Sequence, residues 1–258
     1  MKQIKLFYKK IIKSNFSIFF RNNINFKHVP FNMNKFKCSS ISDCFPWRTD
    51  NNYKTIFKFS DILKQFYKVE DSNVEIHFYT KNNEFIKKIA TRKLNLSNEL
   101  IIDQNFLNLE DYGVFYIYHF SENKILEKDV ISNRCYIGFS KDENLFSFVH
   151  GNAYSKTKNI SSKEIINKDP INTTLLCTNF YKIQKLFDEY DKVELFFSNP
   201  TSNKIKIKIF QTDIKLNPYS SKIYEIKNKN IVAFKSNCLF LRPTIFCYKN
   251  NYLDVHHS

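Results

Sequence analysis

The sequence predicts a mainly β protein: two tandem antiparallel β-sandwich domains from an internal duplication, with short helices and a basic amphipathic N-terminal arm. Three observations predict it. Residues 55–80 align without a gap onto residues 174–199, placing Thr55 on Thr174, Glu70 on Glu189, Val74-Glu75 on Val193-Glu194 and Phe78 on Phe197. Downstream, Val114-Phe115 falls on Ala233-Phe234 and, past an insertion in the first copy, Arg134 and Ile137 meet Arg242 and Ile245, and Val149-His150 meets Val255-His256. A period this long indicates two similar domains rather than a solenoid of short units. The second observation is alternation of apolar and polar residues over short runs. The third is the Asn- and Pro-bearing turn segments between those runs, 199–203 and 217–221. Many short strands with such spacing favour a sandwich or barrel.

The expected organisation is an arm over residues 1–42, a first repeat over 43–150, a polar linker over 151–171 and a second repeat over 172–258. Residues 1–42 hold nine Lys or Arg and no Asp or Glu, so the formal net charge of +15 divides into +9 in the arm and +6 in the rest. Wound as a helix, residues 2–20 place Ile4, Phe7, Tyr8, Ile11, Ile18 and Phe19 on one face and Lys2, Lys5, Lys9 and Lys13 on the other. Such a segment can lie on an anionic membrane, act as a cleaved organellar presequence, bind phosphates of a nucleic acid, or be a basic tail. Peripheral membrane contact through residues 1–20 and organellar import lead these readings. Nucleic acid is disfavoured, because elsewhere Lys alternates along strands rather than collecting on one face.

In the first repeat, a short helix is expected over 60–68 with Ser60 as N-cap, followed by a strand in which Val74, Ile76 and Phe78 alternate with Glu75, His77 and Tyr79. Strands are expected over 113–120, 134–140 and 145–150. Residues 151–172 are rich in Ser, Lys and Asn and read as a flexible connection. The second repeat should carry a helix over 179–188 and a strand over 193–197. It should then carry a strictly alternating strand at Ile205, Ile207 and Ile209, and strands over 222–226, 231–235 and 239–248.

Composition excludes several activities. The three glycines, Gly113, Gly138 and Gly151, are far apart, so neither phosphate-binding glycine loop exists, nor does a G-x-S-x-G nucleophile elbow. The six cysteines contain no C-x-x-C pair and read as buried apolar residues of a reducing, intracellular compartment, cytoplasmic or peripheral to a membrane. No apolar stretch approaches the ~20 residues that span a bilayer.

Candidate sites are few. Trp47, Arg48 and Asp50 surround the one tryptophan of the chain; an indole face beside polar groups can hold a sugar ring, and the same segment can instead plug the end of a sandwich. Arg134 and Arg242 occupy matching places and can bind a ligand carboxylate or phosphate, or pair with the repeated Glu75 and Glu194, which is the preferred reading. His150, Asp254, His256 and His257 carry metal-ligand side chains, with His119 as a further ligand. A divalent metal is not favoured, because the spacing lacks H-x-H or H-x-x-x-H and strand-end histidines commonly bond locally. The adjacent acids Glu70-Asp71, Glu110-Asp111 and Asp142-Glu143 point to opposite faces if on strands. The expected function is a non-catalytic binding or assembly protein with a carbohydrate ligand; the alternative is an enzyme with a His-based metal site at the domain seam. The cofactor and the oligomeric state are not readable from the sequence.

Overall fold

The computed structural model describes residues 2–12, 14, 16–17, 36–92, 94–122, 130–133, 135–142, 145–160, 162–166, 169–177, 179–183, 187–227 and 233–257. The fold is mainly β with few short helices, and its sheets are arranged as a propeller-like ring of four rather than as two clearly separate sandwiches. After helix α1 (Lys2–Ile12), the strands are β1 (Ser39–Arg48), β2 (Tyr53–Ser60), β3 (Asn73–Thr80), β4 (Phe85–Arg92), β5 (Ser97–Ile102), β6 (Tyr112–Phe120), β7 (Val130–Asn133), β8 (Tyr136–Lys141), β9 (Ser147–His150) and β10 (Asn152–Asn159). They continue with β11 (Asn179–Lys182), β12 (Lys192–Ser198), β13 (Ile205–Ile209), β14 (Thr212–Leu216), β15 (Ser221–Glu225), β16 (Ala233–Ser236), β17 (Thr244–Lys249) and β18 (Tyr252–His257). Helices α2 (Ile62–Tyr67) and α3 (Gln104–Leu107) are short, of six and four residues.

The sheet orders are β10-β1-β6-β3-β4 with β7 beside β1, then β5-β2-β8-β9, β15-β12-β17-β18 and β11-β16-β13-β14. Without β7 and β10, the first half reads β1-β6-β3-β4 and β5-β2-β8-β9. The second half reads β11-β16-β13-β14 and β15-β12-β17-β18, the same order strand for strand. Each sheet contains crossovers, so no blade is a simple meander.

This order corrects the alignment from which the repeat was read. Val74 lies in β3 and Val193 in β12, but the strand that occupies the place of β12 in the first half is β2, and the partner of β3 is β13. The ungapped match is therefore one strand out of phase in its first part, while its last part sets β6 on β16, β8 on β17 and β9 on β18. The first-copy insertion is where β7 stands, parallel to β1.

Local chemistry explains other departures. Asp61, not Ser60, caps α2: its carboxylate accepts from the Lys64 amide at 3.0 Å. Residues 179–182 are strand, not helix, because they pair with β16 and the Tyr181 ring stacks on Phe234 at 4.9 Å. The stretch read as a linker contains β10, which pairs antiparallel with β1. Of the strand expected over 239–248, only the part from Thr244 forms. The alternation in β13 holds as expected, with Ile205, Ile207 and Ile209 buried and Lys206 and Lys208 exposed. Asn199 organises both expected turns at once: its side-chain amide donates to the carbonyls of Asn203 and Asn217, both at 2.7 Å.

Two cores result. The second-half core holds Val193, Leu195 and Phe197 of β12 with the β13 isoleucines, Ile214, Phe234 and Ile245. The first-half core is aromatic, with Phe45, Trp47, Phe57, Phe78 and Phe115 at its centre, and it also takes in Phe196, Phe246 and Val255 from the second half. The sheet β15-β12-β17-β18 is thus covered on both faces. Phe246 meets Phe139 at 4.8 Å and Tyr53 at 5.9 Å, and Phe196 meets Tyr112 at 5.6 Å. A strand buried on both faces loses its alternation, and Val193-Glu-Leu-Phe-Phe197 shows this in sequence.

Candidate functional site

The outer face of the first half's larger sheet carries a group of interacting ionisable side chains centred on Glu75 and His77. Period-2 geometry sends Val74, Ile76 and Phe78 of β3 into the core and Glu75, His77 and Tyr79 outward. Antiparallel pairing brings Tyr118 opposite Glu75 and Tyr116 opposite His77 on β6, and Lys88 opposite His77 on β4. From the edge strand β10, Lys156 and Lys158 lay their side chains over the tyrosine rings. Between β10 and β6, Ser40 and Ser42 of β1 accept from the β6 amides of His119 and Ile117 through their hydroxyls, both at 2.9 Å.

His77 Nε2 lies 3.0 Å from Glu75 Oε2, and the Lys158 ammonium lies 3.3 Å from the same oxygen and 3.5 Å from His77 Nε2. Lys88 approaches the other carboxylate oxygen at 3.8 Å. Burial opposes ionisation of Glu75, yet the hydrogen bond from His77 and the charge of Lys158 outweigh it and hold the carboxyl below its usual range. Burial lowers His77, assisted by Lys158 and opposed by Glu75, so the ring is biased to neutral. Its Nε2 then either donates to Glu75 or accepts from Lys158. Beside this group, Phe85 is 59% exposed, and its ring sits edge-on to Tyr79 at 5.7 Å and to His77 at 6.3 Å.

Lys156 is held differently. Its ammonium faces the rings of Tyr79 at 4.1 Å, Tyr219 at 4.4 Å and Tyr116 at 4.8 Å, and donates to Asn83 Oδ1 at 3.4 Å. Burial pushes it down to about 8, while three aromatic faces favour the charged form. Tyr219 belongs to the β14–β15 turn of the second half, so this cation links the two halves.

The residues singled out in the sequence are placed as follows. Trp47 is 0% exposed and its indole N–H donates to the Tyr79 carbonyl at 3.0 Å, so neither ring face reaches solvent. Arg48 is buried at the seam. It grips Asp50 through two bonds of 3.0 and 2.7 Å, reaches Glu194 at 2.6 Å, and lies 4.0 Å over the Tyr53 ring. Glu194 also accepts from Tyr248 at 2.5 Å and from Lys192 at 2.7 Å, and Tyr248 in turn bonds the Tyr53 hydroxyl. The two repeated glutamates are therefore paired, but with Arg48 and Lys192 in one case and Lys158 and Lys88 in the other. Arg242 is exposed, and Arg134 lies outside the described residues.

Of the metal-ligand candidates, His256 Nδ1 is 3.4 Å from Asp254, His257 Nε2 bonds the His150 carbonyl at 2.7 Å, and the exposed His150 ring lies tilted against Tyr136 at 4.5 Å. Burial lowers His256 and His257. His119 is buried in β6, with Nε2 at 3.2 Å from the Ser60 carbonyl. The structure brings β9 and β18 together, so His150 and His257 do meet at the seam. Among the described residues, no three His, Cys, Asp or Glu are arranged to hold a metal ion. All six cysteines are free, and burial raises Cys44, Cys238 and Cys247 to about 12.

Comparison with protein-family models, with curated proteins and with solved structures gives no match. The sequence reads Glu75 as the partner of a repeated arginine and His77 as alternating with the apolar residues of its strand, and it reads Lys156 and Lys158 as part of a polar linker. The available signal was the i, i+2 spacing of Glu75 and His77 on a strand, with Lys156 and Lys158 at the same spacing.

Proposed function

We propose that this chain is a non-catalytic binding protein whose ligand is an acidic carbohydrate, held on the outer face formed by β3, β4, β6 and β10. The observation that supports it is the solvent-facing Phe85 ring beside Tyr79 and His77, flanked by the ammonium groups of Lys88 and Lys158. An aromatic ring offers its face to sugar C–H groups, the buried Glu75 and His77 hold Lys158 beneath it, and the surplus of ammonium groups over the single carboxylate attracts an anion. In this reading Trp47, Arg48 and Asp50 secure the seam. The two halves are read as tandem β-sandwiches derived by duplication, on the support of their identical strand order.

The test is calorimetric titration with oligosaccharides that carry uronic acids and with neutral ones of equal length. Binding of the acidic series, weakened about tenfold by Phe85→Ala and by Lys88→Ala, supports the reading; each change removes roughly 1.4 kcal/mol of contact at an exposed position. Failure of both series rejects the ligand class. The second reading, an enzyme with a His-based metal centre at the seam, draws on two buried ring nitrogens without a hydrogen-bond partner, His256 Nε2 and His257 Nδ1. Elemental analysis of untagged protein decides it: stoichiometric zinc or iron favours the enzyme.

A further inference from the structure

We propose that α1 is an anchor that lies flat on an anionic lipid surface. At 3.6 residues per turn, Ile4, Phe7, Tyr8 and Ile11 form one continuous stripe of α1, and Lys5 and Lys10 lie away from it on either side of Leu6. The folded body does not cover this stripe: Ile4, Phe7, Tyr8 and Ile11 are 66, 66, 65 and 49% exposed. A helix of 11 residues is marginal by itself in water, so a stable α1 needs an apolar surface to lie against. It is about 16 Å long against the ~30 Å hydrocarbon core of a bilayer, which suits the interface and not a span.

Charge selects the occupant. Residues 1–42 contain no acid, so a second copy of α1 would set cation against cation. A nucleic acid would engage the lysines and leave Phe7 and Ile11 in water. An anionic headgroup layer over acyl chains satisfies both sides of the helix simultaneously, the stripe entering the chains and the lysine stems reaching out to the phosphates.

The experiment is sedimentation of the full-length protein with phosphatidylcholine vesicles, with and without about a quarter phosphatidylserine, across a salt series. Binding is expected with the anionic vesicles and to fade towards ~1 M salt, where the Debye length falls to ~3 Å. Lys5→Gln with Lys10→Gln should weaken it about twenty-five-fold, a factor of about five for each charge removed. Phe7→Glu should abolish it. Thermal melts of these variants should match the parent, since both faces of α1 lie outside the core. Equal binding to neutral vesicles overturns the electrostatic part. No binding to anionic vesicles at low salt overturns the proposal, and so does concentration-dependent dimerisation that Phe7→Glu removes.

Discussion

Replacing Glu194 by Gln at the seam should cost stability that depends on pH in a defined direction. Glu194 sits between Arg48, Lys192 and Tyr248, and although burial opposes its ionisation, those partners draw its carboxyl down to about 2. An unfolded glutamate titrates near 4.3, so the difference of about 2 units corresponds to about 3 kcal/mol. Lys192 is half exposed, and screening there reduces the expected figure to about 2 kcal/mol. Because the folded value is the lower one, this stabilisation is fully present above about pH 5 and disappears as pH falls towards 2. Glu194→Gln keeps the shape and removes the charge. At pH 7 it should lower the urea-derived stability by about 2 kcal/mol and the melting temperature by roughly 4–8 °C, and the gap to the parent should close as pH approaches 2. Arg48→Met should cost more, about 3–5 kcal/mol, because it takes the guanidinium from two carboxylates, Asp50 and Glu194, at once. A Glu194→Gln gap that stays constant between pH 7 and pH 3 would refute the reasoning: the loss would then come from packing and not from the ion pairs.

Two further outcomes follow from the same geometry. A Cβ on Gly113 would lie 2.1 Å from the Tyr79 carbonyl oxygen and 2.9 Å from the Trp47 ring, so Gly113→Ala should destabilise by at least about 3 kcal/mol; a urea midpoint within error of the parent would mean that β6 can move away from β3. His256→Ala should cost only about 1 kcal/mol, since it removes a half-exposed pair with Asp254, and should leave metal content unchanged by elemental analysis.

Strands were legible wherever one face is wet. Ile205, Ile207 and Ile209 announce β13, and Val74, Ile76 and Phe78 announce β3, because burial on one side imposes a period of two. The same simplicity misled the alignment of the halves. Any half-buried strand resembles any other, so β3 matched β12 on residue pattern although strand order equates β12 with β2. The contact between the halves was less visible. The face of β12 and β17 that carries Phe196 and Phe246 is docked, while the corresponding face of β2 and β8 carries exposed Lys54, Lys58 and Tyr136. The outer-face cluster was hidden for a different reason: Lys158 reaches Glu75 across 83 residues, and polar composition disguised β10 as a connection. A side chain that crosses a sheet over aromatic rings has no periodic signature.

The sharing of Phe196, Phe246 and Val255 with the first half's core has a consequence for synthesis on the ribosome. Arg48 meets Tyr248 across 200 residues. β10 ends at residue 159 and β17 at residue 249, so at roughly 5–20 residues per second the assembled first half waits about 5–20 s before the strands that close over Tyr53, Tyr112 and Phe139 have been made. During that interval an aromatic surface stands open on an otherwise assembled pair of sheets. Slowing elongation late in the message would lengthen that exposure without altering a single residue of the finished protein.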